Sequence, residues 1–455
     1  MNLDRRRMIG AATLAAGAMV VASDPARSAP LTSTLGRDAA QSGVRAGSAD
    51  DQTRILQKAI DDAARAGMPL ALQPGVYRCG PLKMPKGAQL IGTRGATTLV
   101  FAGTGPSLIS SEGANHIGLT GLIFDGQNAT MPERGALVHC QDGRDLRITD
   151  CEIINSGGSG ILVERMAGAI SGNRLTNVRV TSIASFDATG LVVSQNTIIG
   201  ASQNGIEVIR TAIGDDGTLV IDNRIEDIKA GPGGSGQYGN AINAFRAGNV
   251  IVRGNRIRNC DYSAVRGNSA SNIHITGNSV SQVREVALYS EFAFEGAIIA
   301  NNTVDGAALG VSVCNFNEGG RISVVQGNII RNLLPKRPIG TAPDDDAGVG
   351  IYVEADTSVT GNVIENAPDV GIMAGWGKYM RDVAITGNVI RNAFIGIGVS
   401  VVAGAGTAVL NANIISGSKR GAIVGMDHAK ATTPDLASDT TARYQQIALT
   451  GNVVR

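Results

Sequence analysis

One short phrase recurs through this chain and limits what it can fold into. In chain order it reads SGNRL, SQNTI, IDNRI, RGNRI, TGNSV, ANNTV, QGNII, TGNVI, TGNVI, NANII and TGNVV. Its Asn is Asn173, Asn196, Asn223, Asn255, Asn278, Asn302, Asn328, Asn362, Asn388, Asn413 and Asn452. Most steps between them are 22 to 27 residues, with longer ones of 32, 34 and 39. Two places after each Asn stands an aliphatic: Leu175, Ile198, Ile225, Ile257, Val280, Val304, Ile330, Ile364, Ile390, Ile415 or Val454. The residue between is Arg, Thr, Ser, Ile or Val. A fixed inward place beside a free outward one is the period-two signature of a strand.

A second alternating segment precedes the phrase. Examples are GILVER (160–165), GIEVIR (205–210), AINAFR (241–246), GIYVEA (350–355) and GIGVSV (396–401). Repeats of 20–50 residues mean solenoids, propellers or arrays. A propeller blade takes about 40 residues or more, which is too long, and the LxxLxL frame of a leucine-rich repeat is missing. About 24 residues suits one coil of a parallel β-helix with three short strands and three turns, each strand pairing about 4.8 Å away with its copy in the next coil. The Asn then stands at a sharp turn, where its amide can bond to the backbone and to the Asn amides above and below. The Gly that often precedes it tolerates a conformation that a Cβ penalises.

This pattern over residues 70–455 resembles the right-handed parallel β-helix of the pectate-lyase-like superfamily. The right hand is also the rule for parallel crossovers. The resemblance implies that ligands lie along the outer face of the GIxV strands. It carries no mechanism over, because the NTD, GHG, RIK and DPHE motifs of polygalacturonases and alginate epimerases are absent.

Hydrophobic residues make up 43% of the 455, which excludes a disordered chain. A formal net charge of +1 gives no electrostatic case for nucleic acid or an anionic membrane. Residues 1–29 read as an export signal: Arg5, Arg6 and Arg7, then a short apolar run from Ile9 to Ala22, too short for a stable membrane anchor. The DRRRMIG stretch resembles a twin-arginine signal, and ahead of such repeats it is similar to a family of exported β-helix proteins. This likeness implies a periplasmic or secreted location and no activity. The five cysteines match no metal or redox spacing and read as small buried apolar residues, although an oxidising compartment would permit a bridge.

An open β-helix needs caps. Within the N-terminal segment 30–69, residues 48–67 predict an amphipathic helix that is N-capped by Ser48 or Asp50 and covers the first coil with Ile55, Leu56, Ala59, Ile60 and Ala63. At the other end residues 427–446 either fold over the last coil or leave it open for oligomerisation.

The outward places of the GIxV strands gather Glu, Arg, Asn and Tyr in the middle coils. That composition suits a polysaccharide, since aromatic faces stack on sugars, Asn and Glu bond hydroxyls, and Arg holds a uronate carboxylate. The candidate catalytic residues are Glu207 or Glu291 as acid or base, with Arg246 and Arg266 as carboxylate clamps. The candidate substrate contacts are Arg210, Asn243, Tyr289, Tyr352, Glu354 and Trp376. The long inserts 229–239 and 334–348 are placed to wall this stripe. No cofactor motif is present, and the scattered His116, His139, His274 and His428 give no metal site. The alternative is a non-catalytic envelope scaffold that uses its long face or open end for protein contact.

Overall fold

Each coil lays down three short parallel strands, named here in chain order the site strand, the middle strand and the end strand. In one coil they are Ile206–Asp215, Leu219–Ile221 and Arg224–Ile228, and in the next Ile242–Gly248, Ile251–Arg253 and Arg256–Cys260. Ile206 pairs with Ile242, Leu219 with Ile251 and Arg224 with Arg256, all parallel. Repeating this step gives an all-parallel β-solenoid of about 14 turns. The computed structural model describes residues 36–455 apart from 232, 235, 342–344 and 440–443. The export signal expected at 1–29 lies outside the described residues.

The inward places fill the tube with stacked aliphatics. Val193, Val220, Val252, Ile275, Ile299, Val325, Val359 and Ile385 form one such column on the middle strands, in register and fully buried. The aliphatics after the repeated Asn form another on the end strands. All five cysteines are free and buried. Burial pushes the Cys140 thiol up to about 11 and those of Cys79, Cys151 and Cys260 to about 12, so they stay neutral and serve as packing.

The repeated Asn residues form one continuous hydrogen-bonded ladder. Asn328 donates both its backbone N–H and its Nδ2 to Asn362 Oδ1, each at 2.9 Å. Asn362 does the same to Asn388 at 3.0 and 2.9 Å. Each Nδ2 also reaches a backbone carbonyl in the preceding coil, as Asn362 does to Val325 at 3.0 Å. The chain of bonds runs from Asn173 to Asn452. The residue before every ladder Asn is left-handed, mostly Gly but also Gln195, Asp222, Asn301 and Ala412. A second left-handed place follows four residues after the Asn, occupied for example by Asn177, Asn259, Asn332, Asn366 and Asn392. It carries its own outer ladder, with Asn392 bonding Asn366 at 3.3 Å and Asn366 bonding Asn332 at 3.0 Å.

The N-terminal helix is shorter than the sequence suggests, spanning Thr53–Arg65. Neither Ser48 nor Asp50 caps it. Asp51 Oδ1 accepts the Thr53 N–H at 2.8 Å, while the preceding Gln52 is turned aside to bond the backbone of Arg45. Leu56, Ala59, Ile60 and Ala63 are buried in the core of the tube, and Ile55 only partly so. The solenoid starts before this helix, since Arg37–Asp38 already pairs with Leu70–Ala71. At the far end Lys430–Asp435 turns back antiparallel along the last site strand, Gly421–Asp427. The core places Leu449 and Val454 of the final coil remain 36% and 46% exposed. Among the described residues no helix is long and apolar enough to cross a membrane.

Two substitutions test the ladder. Asn362→Leu leaves the buried N–H groups of Asn328 without an acceptor and should cost about 3 kcal/mol, read as a lower denaturant midpoint. Ala412 is left-handed with no side chain to bond locally, so Ala412→Gly should raise stability by up to about 1 kcal/mol.

Candidate functional site

The outward places of the site strands stack into two columns. The floor column runs Leu162, Ala184, Glu207, Asn243, Arg266, Tyr289, Ser312, Tyr352, Met373, Gly398 and Val424. Beside it runs Glu164, Phe186, Ile209, Phe245, Asn268 and Glu291. Ala184 and Phe186 belong to a coil that the GIxV pattern misses, because Ser182 and Ser185 replace its Gly and Val. The 45 residues from Gly160 to Gly205, twice the usual period, are the signal for it.

The two halves of this face differ. Toward the N-terminal side it is an open groove of about 940 Å³. Its floor is Leu162, Ala184, Glu207 and Asn243, flanked by Phe186, Ile209 and Phe245. One wall is the loop 130–135, and another includes Gly236, Gln237 and Tyr238 of the insert after Lys229. The size suits a small-molecule or glycan site.

Glu207 is half-buried at the floor, and its Oε1 accepts a bond from Asn204 Nδ2 at 2.6 Å. Asn204 is itself fixed, donating to Gln237 O at 2.9 Å and accepting the Asn240 N–H at 3.0 Å. Burial holds the Glu207 carboxyl above its ordinary range, and the bond from Asn204 only partly offsets this. Next to it in the column, Asn243 is buried with its Oδ1 unpartnered among the described residues. Arg134 lies over the Phe186 ring at 4.5 Å and pairs with Glu164 at 3.2 Å, while Arg179 stands exposed on the rim.

Past Asn243 the same face is covered. Arg266 binds Glu291 through two bonds of 2.6 and 2.9 Å and reaches Glu285 at 3.3 Å. Arg337, from the insert after Leu334, approaches Glu285 at 3.6 Å and bonds the Asp346 carbonyl at 2.7 Å. Burial disfavours the Arg266 charge, but Glu291 and Glu285 outweigh it and raise its pKa further. Tyr289 lies 4.8 Å beneath that guanidinium. Val286, Leu309, Val349, Met373 and Val424 form an apolar layer outside the tube, packed against Ala347 and Ala431.

The structure therefore separates the residues singled out in the sequence. Glu207 and Asn243 share the open groove. Arg266 and Glu291 form a buried ion pair that meets itself instead of solvent, over the partly buried Tyr289. Tyr352 donates to Glu354 Oε1 at 2.5 Å, and the Phe316 N–H fills Oε2 at 2.6 Å. Trp376 sits further along, edge-on to Tyr352 at 6.4 Å and to His428 at 5.3 Å. Arg210 and Arg246 turn toward backbone carbonyls, of Ala188 at 3.3 Å and Thr211 at 2.9 Å. The groove residues Phe186, Ala184, Asn204 and Tyr238 were not among the sequence candidates. Among the described residues no cluster of His, Cys, Asp and Glu could hold a metal ion.

The sequence pattern of the right-handed β-helix region matches residues 98–224 and 212–381, more than half of the chain. The chain belongs to that family. No curated protein matches it. Among solved right-handed β-helices and related folds, the N-terminal fragment of bacteriophage phi29 gene product 12 superposes with a TM-score of 0.52 at 15% identity, over 93% of this chain and 72% of the other. The catalytic unit of an α-1,3-glucanase from Streptomyces thermodiastaticus gives 0.47 at 16% identity, over 95% of this chain and 70% of the other. The surface adhesin PfbA of Streptococcus pneumoniae gives 0.48 at 15% identity, over 88% and 94%. At 15% identity the likeness to the phi29 fragment shows a shared fold alone.

The two halves of the face respond differently to substitution. Arg266→Met removes the guanidinium that holds the buried Glu291 carboxylate and should cost about 3–5 kcal/mol while leaving the groove's ligand affinity unchanged in the folded fraction. Glu207 has its folded pKa raised, so its contribution to stability is complete below the ordinary glutamate pKa and is lost as pH rises through the folded value. The unfolding midpoint of Glu207→Gln should match the wild type below about pH 4 and exceed it progressively above. A difference independent of pH would contradict the burial of this carboxyl.

Proposed function

We propose that this right-handed β-helix is an exported protein that binds a polysaccharide in the groove over Glu207 and Asn243. The observation that carries this reading is the pairing, on one rigid open floor, of two polar groups with two aromatic rings. Glu207 and Asn243 are register partners on neighbouring strands. Phe186 and Phe245 flank them in the next column. Sugars need both kinds of contact, since ring faces stack on aromatics and hydroxyls require directed partners. The floor acid is a single carboxylate, and the other acid lining the groove, Glu133, stands on the rim loop. Hydrolysis of a glycoside takes two carboxylates across the bond, so binding is the reading favoured over turnover. The location outside the cytoplasm rests on the resemblance of residues 1–29 to an export signal.

The test is retention on immobilised neutral and uronate polysaccharides. Each soluble fraction would also be checked for new reducing ends and for ultraviolet absorbance of an unsaturated product. At least one polysaccharide should retain the protein without product appearing, and Asn243→Ala should weaken retention by about tenfold. Product that disappears in Glu207→Gln would convert the reading to an enzyme. Failure to bind any glycan would favour a scaffold.

A further inference from the structure

Resting on that reading of the groove, we infer that its ligand is a neutral, extended pyranose chain. The chain lies along the solenoid axis and turns over at every unit, as equatorially linked chains do.

The first argument is spacing. Phe186, Ile209 and Phe245 are successive members of one column. The two rings are therefore two coils apart, about 9.6 Å at the usual strand spacing. That is close to the length of a disaccharide unit in an extended chain. In a ribbon that flips at each unit, the first and third sugars present the same face at that distance. The second presents the opposite face, and here the smaller Ile209 stands beneath it. An axially linked chain coils and does not bring equivalent faces back at this spacing along a straight line. Both rings are held in place from one side, Phe186 by Arg134 at 4.5 Å and Phe245 by Arg246 at 4.7 Å. A ring fixed in this way loses little entropy when a sugar stacks on it.

The second argument is charge. Glu207 stands level with Ile209, so the middle sugar meets it, and the Asn243 amide is one coil further on. A uronate carboxylate at the middle unit would bring a second negative charge against Glu207. The burial of Glu207 already works against its own ionisation. Arg134, the cation nearest Phe186, is already engaged by Glu164. The floor therefore offers the Glu207 carboxyl and the Asn243 amide to hydroxyls and, among its described residues, no cation to clamp a carboxylate, since Arg179 stands on the rim.

Calorimetric titration of the whole chain with β-1,4-linked gluco-oligosaccharides and with α-1,4-linked ones of equal length tests this. Affinity should rise sharply from disaccharide to trisaccharide in the β-linked series only. Phe186→Ala and Phe245→Ala should each weaken trisaccharide binding by roughly fivefold to tenfold. Phe245→Trp should keep the step, which separates lost stacking from misfolding. Equal binding of the two series, or no step with length, would overturn the inference and leave the glycan reading standing. Uronate oligosaccharides binding better than neutral ones would also overturn it. Binding of no oligosaccharide at all would overturn both.

Discussion

The buried Asn ladder is the interaction on which the rest of this molecule depends. A turn that tucks an amide into the tube must satisfy two donors and an acceptor away from water. Between the ends of the ladder each Oδ1 takes two bonds from the neighbouring coil, and each Nδ2 gives one forward and one back. A coil displaced by one residue would break these bonds and also turn every aliphatic outward. The ladder thus fixes register along its length, and register makes the outward places line up into columns. A groove assembled from four coils can be rigid only because those columns are.

The outer face shows a division of labour set by local chemistry. Where the floor column carries Arg266 and Tyr289, acids stand close enough to neutralise the guanidinium, and Arg337 closes over them. Where it carries Met373 and Val424, the chain covers the apolar surface with its own segments. Where small Ala184 meets Glu207 and Asn243 the face stays open, with the walls standing to either side. Among the described residues no cation pairs with the acid on that floor, so its properties follow from burial and from Asn204.

Much of the fold was legible because it is written in copies. The ladder Asn, its left-handed predecessor and the aliphatic two places on are repeated eleven times, and one interaction explains all three. The coil holding Ala184 and Phe186 was not legible, because serines there occupy the marker places while the backbone keeps its path. The helix starts later than its sequence suggests because Asp51, not Ser48 or Asp50, reaches the Thr53 N–H. The site was half legible. Alternation alone identified Glu207 and Asn243 as outward. It could not say that Arg266 and Glu291 would bind one another, since that depends on side-chain reach and on an insert folding back. Nor could it show that the insert after Leu334 lies upon the stripe it was expected to wall.

The account's central claim is that four coils, held in register, present one continuous binding floor. A crystal structure of the protein soaked with a β-1,4-linked trisaccharide addresses it most directly. The account places the sugar chain parallel to the solenoid, its ends over Phe186 and Phe245 and its middle unit against Glu207. Sugar bound instead across the coils, or on another face of the tube, would contradict it.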